Sequence, residues 1–390
     1  MSETSDVIIV GGGIVGLTAA LAMASRNFSV TVIDAGSLVT STAALDPRVY
    51  AVNKASSDLF QQLGVWHLID DKQKSPYRHM HVWDSKNGAC IDFDARLVAS
   101  RELGFIIAEA AIKQALLQKI ETQSNIRCFP ENSVQSVTCN DDLVTITSGK
   151  QTWQGRLLII ADGGESPTRK LLRIPITTWS YHQHALVATV RTEEVHQHTA
   201  WQVFNPDGPL AFLPLVDEHH CSIVWSTTPK RALQLSTLAE DAFNQELTRA
   251  FAHKLGNVTL ESKRFHFPLT MRHSQRYSGN NWLLLGDAAH TIHPLAGLGL
   301  NVGLADVASC LSLLDSSSEF GKKMLGAYQR ERKSAVWKTI ALMGGLKTLF
   351  ANPLPPIAAL RGLGLDLCNR LTPLKRLIIE QAAGTSLHRL

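Results

Sequence analysis

Three glycines near the start of the chain have the spacing of a phosphate-binding turn. Gly11, Gly13 and Gly16 follow an apolar run at residues 7–10 and precede small residues that predict a helix. Gly11 permits the tight turn, Gly13 lets the backbone approach a pyrophosphate, and Gly16 lets helix and strand pack closely. The N–H groups at the start of the helix would face the phosphates. The sequence therefore predicts a dinucleotide site at this turn.

An acidic residue follows where the adenosine ribose of such a ligand would bind. Asp34 ends a second apolar run at residues 29–33, about 20 residues beyond the glycines, and a carboxylate there can accept hydrogen bonds from ribose hydroxyls. The glycine turn alone is compatible with a plain tight connection, and it does not distinguish NAD from FAD. Strand, helix and acid together favour a nucleotide site.

A second glycine motif indicates which dinucleotide binds. Residues 282–285 read as a buried strand that leads into Gly286-Asp287, so these two residues are expected at the carboxyl end of a parallel sheet. Residues 286–303 resemble the flavin-ring motif GDAAHxxxPxxGQGxNxGxxD of the single-component aromatic hydroxylases, and Asp306 matches its last acid. Residues 157–169 are similar to that family's internal motif, ADGxxSxxR.

The resemblance implies the cofactors and the reaction. FAD would be the bound cofactor, NAD(P)H a transient reductant, and O2 the co-substrate. In that family a C4a-hydroperoxyflavin attacks an electron-rich aromatic ring, so the protein must exclude water from the site. The dipole of the helix that begins near Leu300 would stabilise negative charge on the reduced flavin.

The resemblance also assigns cofactor contacts beyond the glycine turn. They are Arg48, Gln114, Asp162, Gly163, Gly286, Asp287, Pro294, Gly297, Leu298, Gly299, Leu300 and Asn301. Asp287 would hold the ribityl chain, and Pro294 with the backbone of residues 297–301 would line the ring. Arg48 matches an arginine near the pyrophosphate, and Gln114 a helix residue that faces the cofactor. Outside this context, Arg48 and Gln114 would also suit the protein surface.

Two positions depart from the family pattern. Leu298 replaces the glutamine of GQG, so a side-chain amide is missing beside the flavin although the backbone donors remain. We therefore expect flavin binding to be retained more readily than family-like reactivity. Ala108-Glu109 stands where the family has Glu-Asn, which weakens any role for the start of that helix.

The catalytic base is not readable from the sequence. His293 could orient or deprotonate a phenol, because histidine titrates near neutral pH. The alternative is a packed or hydrogen-bonded structural histidine. A site that only positions the ring would need little help from a base.

Within these hydroxylases the chain is most similar to the ubiquinone-biosynthesis branch, over essentially its full length. Residues 181–194 most resemble the member that hydroxylates C5 of a polyprenylphenol. This implies a prenylated phenol as substrate, an apolar channel between a β-sheet and the flavin, and a multiprotein ubiquinone-biosynthesis complex as partner. The alternatives are another ring position, a flavin oxidase or dehydrogenase, and a non-hydroxylating flavoprotein that serves as an assembly or lipid-carrier subunit.

Composition sets the class of protein. With 390 residues and 45% hydrophobic content, the chain can form two domains or one domain with a large insertion. The six scattered cysteines lack a CxxC pair, so neither a disulfide framework nor a metal site is predicted. The sequence shows no signal peptide and no apolar run of about 18 residues, so a cytoplasmic protein is expected.

Positive charge is concentrated at one end of the chain. Residues 322–390 carry twelve Lys and Arg against three Asp and Glu, a net of +9 in a chain whose total is +4. This pattern suits amphipathic helices at an anionic lipid surface, as in peripheral contact with the inner face of a membrane, or in a partner groove. The alternative is a solvated helical appendage. No nucleic-acid partner is expected, because aromatic residues do not alternate with the basic ones.

The elements that position these residues predict an α/β fold. We expect a doubly wound Rossmann-like FAD domain, an inserted antiparallel β-sheet substrate domain and a C-terminal helical region. The FAD domain would comprise residues 1–75, 100–175 and 275–335, the substrate domain residues 76–99 and 176–274, and the basic helical region residues 336–390.

Overall fold

The chain folds into three β-sheets with helices packed around them. A computed structural model describes residues 2–38, 48–140, 143–292, 298–317, 320–351 and 367–384. The predicted class is confirmed: a doubly wound α/β unit carries a second, largely antiparallel sheet and helices at the C-terminal end.

The first sheet has a parallel core of strongly apolar strands. Its path is β18-β19-β11-β1-β2-β8, with the hairpin β9–β10 added to β11. Helices α1 (Ile14–Ala24), α3 (Glu109–Glu121) and α7 (Leu298–Ser317) pack with this sheet, so the core strands are apolar on both faces. The strands are β1 (Ser2–Val10), β2 (Val30–Ile33), β8 (Ile126–Phe129), β9 (Ser136–Cys139), β10 (Val144–Ser148), β11 (Gln151–Ile160), β18 (Ser278–Gly279) and β19 (Trp282–Leu284).

Three parallel strands of this sheet bring the predicted motifs together. Val10 at the end of β1 lies opposite Ile160 of β11, and Ile160 lies opposite Leu284 of β19. The glycine turn, the Asp162-Gly163 motif and the Gly286-Asp287 motif each follow one of these strand ends. They therefore meet at one edge of the sheet, where open α/β sheets bind ligands.

The second sheet has nine strands in the order β20-β17-β12-β15-β14-β13-β5-β6, with β16 added to β12. All its pairs are antiparallel except β13 with β5. Helices α5 (Pro229–Thr237) and α6 (Glu240–Ala250) cover one face and bury Phe212, Phe243 and Leu247. The strands are β5 (His79–Asp84), β6 (Cys90–Asp94), β12 (Ile176–Thr192), β13 (Thr199–Asn205), β14 (Gly208–Pro214), β15 (His220–Thr227), β16 (Val258–Leu260), β17 (Phe265–Ser274) and β20 (His290–Thr291).

A small third sheet and the remaining helices complete the fold. The sheet has the order β3-β7-β4, formed by Val49–Asn53, Gly104–Ala108 and Lys74–Tyr77. The helices are α2 (Lys54–Gln62), α4 (Pro167–Leu171), α8 (Lys322–Ala351) and α9 (Thr372–Ala382), with 3-10 turns at Trp66–Leu68, Asp71–Gln73, Ala95–Val98 and Gly286–Ala288. None of the helices in the described ranges is both long and apolar enough to cross a bilayer.

The predicted domain boundaries can be compared with these elements. Strands β5 and β6, from the segment assigned to the substrate domain, pair with β13 in the second sheet. The boundary expected at residue 335 falls inside α8, which is a continuous helix from Lys322 to Ala351. No helix-breaking proline occurs in that span, so a change in charge pattern did not mark a break in the backbone. The division into domains stays a prediction.

Candidate active site

A cavity of about 660 Å³ lies between the first sheet, the third sheet and the open face of the second sheet. Gly13, Asp287 and Leu300 line it on one side, next to the motifs at the strand ends. Val187 and Val224 belong to its floor, on the face of the second sheet opposite α5 and α6. The cavity therefore joins the predicted nucleotide side to an apolar surface.

The glycine turn has the geometry that a pyrophosphate requires. Gly11 has φ +113°, and a Cβ there would lie 2.3 Å from the carbonyl oxygen of Ala161. A Cβ on Gly16 would lie 1.9 Å from the carbonyl oxygen of Gly11, whereas a Cβ on Gly13 would meet no protein atom within 4 Å. Gly13 is the N-cap of α1 and provides no side-chain hydrogen bond, so the N–H groups in the first turn of α1 can bind an anion. These residues fit the diphosphate of FAD.

Asp34 lies at the end of β2, beside the glycine turn. Its Oδ2 accepts a hydrogen bond from the Gly12 N–H, and its Oδ1 accepts one from the Gly36 N–H at 2.8 Å. The carboxylate therefore fixes the turn to the loop after β2. Its contact with ribose hydroxyls stays a prediction.

The Gly286-Asp287 turn is held from behind by a buried ionic cluster. Asp306 on α7 accepts a hydrogen bond from the Gly286 N–H at 2.9 Å, and its Oδ2 lies 2.7 Å from Nε2 of His290. Burial opposes the ionisation of Asp306, but the charges and hydrogen bonds of His290 and Arg332 hold its pKa below the ordinary value. A buried anion thus fixes the turn, and sequence reasoning missed Arg332.

Asp287 projects from this turn into the cavity. Its side chain is accessible from the cavity, which it lines together with Gly286. Burial by the surrounding protein raises its pKa above the ordinary value. A carboxyl group in this place can hydrogen-bond to hydroxyl groups, so it suits the ribityl chain.

A second polar cluster lines the cavity on the side of the third sheet. The Tyr50 hydroxyl donates to Oε2 of Glu109 at 3.3 Å, and Nη1 of Arg48 lies 3.5 Å from the same oxygen. Burial raises the pKa of Tyr50, and the charge of Glu109 raises it further, so Tyr50 stays a protonated donor. Sequence reasoning predicted Arg48, discounted Glu109 and missed Tyr50.

Gln114 is not among the residues that line the cavity, and its contact with the cofactor stays a prediction. Gln114 is exposed on α3, whose opposite face buries Ile112 and Leu116. Five residues separate Gln114 from Glu109, which is about 140° around an α-helix, so the two side chains point in different directions. Glu109 could have been identified as a site residue from its place at the first position of a helix that directly follows a strand.

The start of α7 contributes backbone to the cavity. Gly299 and Leu300 line it, whereas the side chain of Asn301 points to β3. Its Oδ1 accepts from the Asn53 N–H at 3.1 Å and from the Ser56 hydroxyl at 2.8 Å, and its Nδ2 donates to the Ala51 carbonyl at 2.7 Å. The Asn301 amide is therefore engaged by β3 and α2 rather than directed at the cavity.

The two residues of the Asp162-Gly163 motif have different surroundings, because Asp162 is hydrogen-bonded within the protein and Gly163 faces the cavity. Asp162 accepts hydrogen bonds from the Ser166 hydroxyl and from the Thr168 N–H, the latter at 3.0 Å, and so fixes the start of α4. Gly163 has φ +85° and lines the cavity. Nearby, Arg169 donates to the Ala288 carbonyl at 2.7 Å and joins this motif to the flavin-ring motif.

His293, Pro294 and Gly297 lie outside the described residues, and only the backbone of Leu298 is described. Their roles stay predictions. Away from the cavity, His81, Cys90 and Asp92 on the β5–β6 hairpin are close enough together to hold a metal ion. His81 Nδ1 already lies 2.6 Å from Asp92 Oδ1, which is hydrogen-bond distance. This ligand set was not anticipated from cysteine spacing.

Comparison with known proteins shows the family to which the chain belongs. The sequence profile of the FAD binding domain family matches residues 4–342. The chain is 34% identical to 3-demethoxyubiquinol 3-hydroxylase of Escherichia coli, over 98% of this chain and 99% of that protein. It is 33% identical to ubiquinone hydroxylase UbiL of Rhodospirillum rubrum, over 98% and 90% of the two chains.

Solved structures share the fold at low sequence identity. The p-nitrophenol 4-monooxygenase PnpA of Pseudomonas putida superposes with a TM-score of 0.81 at 18% identity, over 97% of this chain and 98% of that chain. PqsL of Pseudomonas aeruginosa, a probable FAD-dependent monooxygenase, gives 0.77 at 20% identity, over 93% and 99%. By its profile match and its relatives, this protein belongs to the FAD binding domain family and is an FAD-dependent aromatic monooxygenase of the ubiquinone-biosynthesis hydroxylases.

Proposed function

We propose that this protein hydroxylates C5 of the aromatic ring of a polyprenylphenol intermediate in ubiquinone biosynthesis. The observation that carries the proposal is the cavity, which has cofactor-side residues at one wall and an apolar sheet as its floor. Relatives that match over nearly the whole chain are named as hydroxylases of ubiquinone or its demethoxy precursor. A prenylated aromatic ring needs both the cofactor-side wall and the apolar floor of this cavity.

The residues of the cavity have separate tasks in this reaction. FAD held by the glycine turn and Asp287 would, after reduction by NAD(P)H, activate O2 and supply the oxygen atom for hydroxylation of the ring. Val187, Ala211 and Val224 present an apolar floor against which a prenylated ring can pack and from which water is excluded. Positioning the ring beside the cofactor lowers the barrier without a dedicated base.

The start of α7 contributes electrostatically. Its first turn, at Gly299 and Leu300, lines the cavity, and the helix is 20 residues long. The partial positive charge at its N-terminus favours negative charge on a group bound there. We assign to this turn the stabilisation of the electron-rich, reduced cofactor.

The ring position rests on residues 181–194, which resemble the C5 hydroxylase. In the structure residues 181–192 of this segment belong to β12, where the pairing with β17 shifts between Ser180 and His184. The second candidate is hydroxylation at another position of the same ring. The name of the Escherichia coli relative, a 3-hydroxylase, favours that alternative.

The test is a mass-spectrometric profile of prenylated intermediates in host cells that lack this protein, before and after the gene is restored. Clearance of an accumulated unhydroxylated polyprenylphenol supports C5. Accumulation of a later, methoxylated intermediate moves the reaction to another carbon, and an unchanged quinone pool contradicts the pathway. Ala211→Phe, which fills the floor, should fail to restore the pool, whereas the same change at the exposed Ala239 on the far side should succeed.

We further propose peripheral contact with the cytoplasmic face of a membrane through the segment around α9, with assembly into a ubiquinone-biosynthesis complex. Four leucines of this segment are substantially exposed, and Arg370 and Arg376 lie exposed among them. Exposed leucine beside arginine suits an anionic lipid surface. The leucines are Leu367, Leu371, Leu374 and Leu377.

Vesicle flotation tests this contact. The protein should float with vesicles that contain phosphatidylglycerol, and less with phosphatidylcholine alone. Replacing Leu367 and Leu377 by serine should reduce flotation, whereas replacing the equally exposed Leu233 and Val216 should not. Equal flotation of both double variants argues against this surface.

A further inference from the structure

The C-terminal helix α9 ends against the first turn of α2. The Ala383 carbonyl accepts a hydrogen bond from the Ala55 N–H at 3.0 Å, and the Ala382 carbonyl accepts one from Nδ2 of Asn53 at 2.8 Å. Gly384 has φ +74°, and a Cβ there would lie 2.8 Å from the Cβ of Ala55. The end of α9 is therefore fitted closely to α2.

Asn53 connects this contact to the wall of the cavity. Its Oδ1 accepts from the Ser56 N–H at 3.0 Å and caps α2, while its backbone N–H donates to Oδ1 of Asn301 at 3.1 Å. Asn301 in turn holds the Ala51 carbonyl at 2.7 Å. Asn53 is itself buried, so these groups have little water to bind instead.

The two elements joined in this way are adjoining parts of the wall of one binding site. Ala51 of β3 lines the cavity, and so does Leu300, the residue before Asn301. A shift of Asn53 would move β3 relative to the first turn of α7. The relative position of these two elements therefore shapes the wall of the cavity.

We propose that Asn53 is a positioning residue through which α9 holds β3 and the start of α7 in the relative position that FAD binding requires. Asn53 is not among the residues that line the cavity, so it acts through Ala51 and Asn301. Residues near the C-terminal end thereby set the affinity for the cofactor. This inference concerns FAD binding and does not depend on the ring position that is hydroxylated.

Asn53→Asp in the full-length protein separates the two functions of this side chain. Aspartate caps a helix as well as asparagine does, but it has no donor for the Ala382 carbonyl. Titration of the FAD-depleted protein, followed by flavin fluorescence, should give a dissociation constant about three- to tenfold higher, as expected for the loss of one hydrogen bond. The reduction potential of bound flavin should shift as well.

Gly384→Ala breaks the same contact from the other side, because its Cβ would clash with Ala55. Its effect on the dissociation constant should match that of Asn53→Asp, and the double variant should be no weaker than either single variant. Gly149→Ala is the matched control, because Gly149 also has positive φ, +57°, but a Cβ there meets no atom within 4 Å. Asn53→Ser, which keeps a cap, is the second variant should Asn53→Asp not fold.

Three results would overturn the proposal. They are wild-type FAD affinity and potential in folded Asn53→Asp or Asn53→Ser, additive effects of the two substitutions, and loss of thermal stability in the FAD-free protein with no change in FAD affinity. Because no substrate is needed, a wrong ring position leaves the test unaffected.

Discussion

Nε of Arg332 on α8 lies 2.6 Å from Oδ1 of Asp306 on α7, and both side chains are almost completely buried. The other oxygen of the same carboxylate fixes Gly286 and contacts His290. Residues from two helices thus support the turn from which Asp287 enters the cavity.

Arg332→Met should strongly destabilise the protein, because it removes the cation from a buried carboxylate. Breaking one side of such a pair costs about 3–5 kcal/mol. Arg26→Met is the control: its partner, Asp315, is half exposed, and such surface pairs contribute about 1 kcal/mol or less. Urea unfolding measures both. Equal midpoints for the two variants would contradict an energetic role for the buried pair.

His273 should make stability depend on pH. It is 3% exposed, and burial, with smaller effects from His290 and Lys333, lowers its pKa to about 4. An unfolded histidine binds its proton near pH 6.5, so the unfolded chain takes up more protons than the folded chain between these values. The free energy of unfolding should therefore be highest above pH 6.5 and should decrease by at most about 3 kcal/mol as the pH drops toward 4.

Unfolding of His273→Gln across this pH range tests the assignment. The variant should lose most of the slope between pH 6.5 and 4, whereas replacement of the exposed His67 should leave it in place. If His273→Gln keeps the wild-type slope, another group is responsible.

Gly13→Ala should lower the affinity for FAD, whereas Gly11→Ala should lower the stability of the protein itself. A Cβ on Gly13 meets no protein atom within 4 Å, so the FAD-free variant should be about as stable as wild type while its FAD affinity falls. A Cβ on Gly11 would strike the Ala161 carbonyl at φ +113°, so that variant should be unstable even without FAD. Thermal unfolding without FAD, together with FAD titration, separates the two. Normal FAD affinity in Gly13→Ala would place the pyrophosphate elsewhere.

Glu109→Gln should affect the site, and Gln114→Ala should not. Glu109→Gln weakens the acceptor of the Tyr50 hydroxyl and removes the charge that faces Arg48. Because the Arg48 side chain is well exposed, kcat/KM for NAD(P)H oxidation should fall by about tenfold or less. Gln114 is an exposed residue of the same helix and controls for changes in α3. Loss of activity in Gln114→Ala, with Glu109→Gln unaffected, would support the assignment made from sequence.

Local patterns in the sequence predicted the parts of the site that depend on local geometry. The turn from Gly11 to Gly16 and the turn at Gly286 follow directly from strand, turn and helix signals, because each is built within one short segment. For Gln114 the resemblance gives a segment but not the direction of the side chain around the helix, so its contact with the cofactor stays a prediction.

Contacts between distant segments were not predictable in this way. Asn53 and Ala382 are separated by 329 positions, and Arg332 by 26 positions from Asp306. Neither pair carries a periodicity or a spacing that would indicate contact. Such pairs arise from the packing of whole elements, which a single sequence does not reveal.

The second sheet has different neighbours on its two faces, with consequences for how this scaffold can evolve. The face under α5 and α6 holds Leu186, Phe212 and Ile223 in a closed core, while neighbouring positions of the same strands face the cavity. Mutations on the cavity side can alter the accepted substrate without disturbing the packing of the core on the other face. The surface that contacts the substrate can therefore change one strand position at a time while the core under α5 and α6 stays the same.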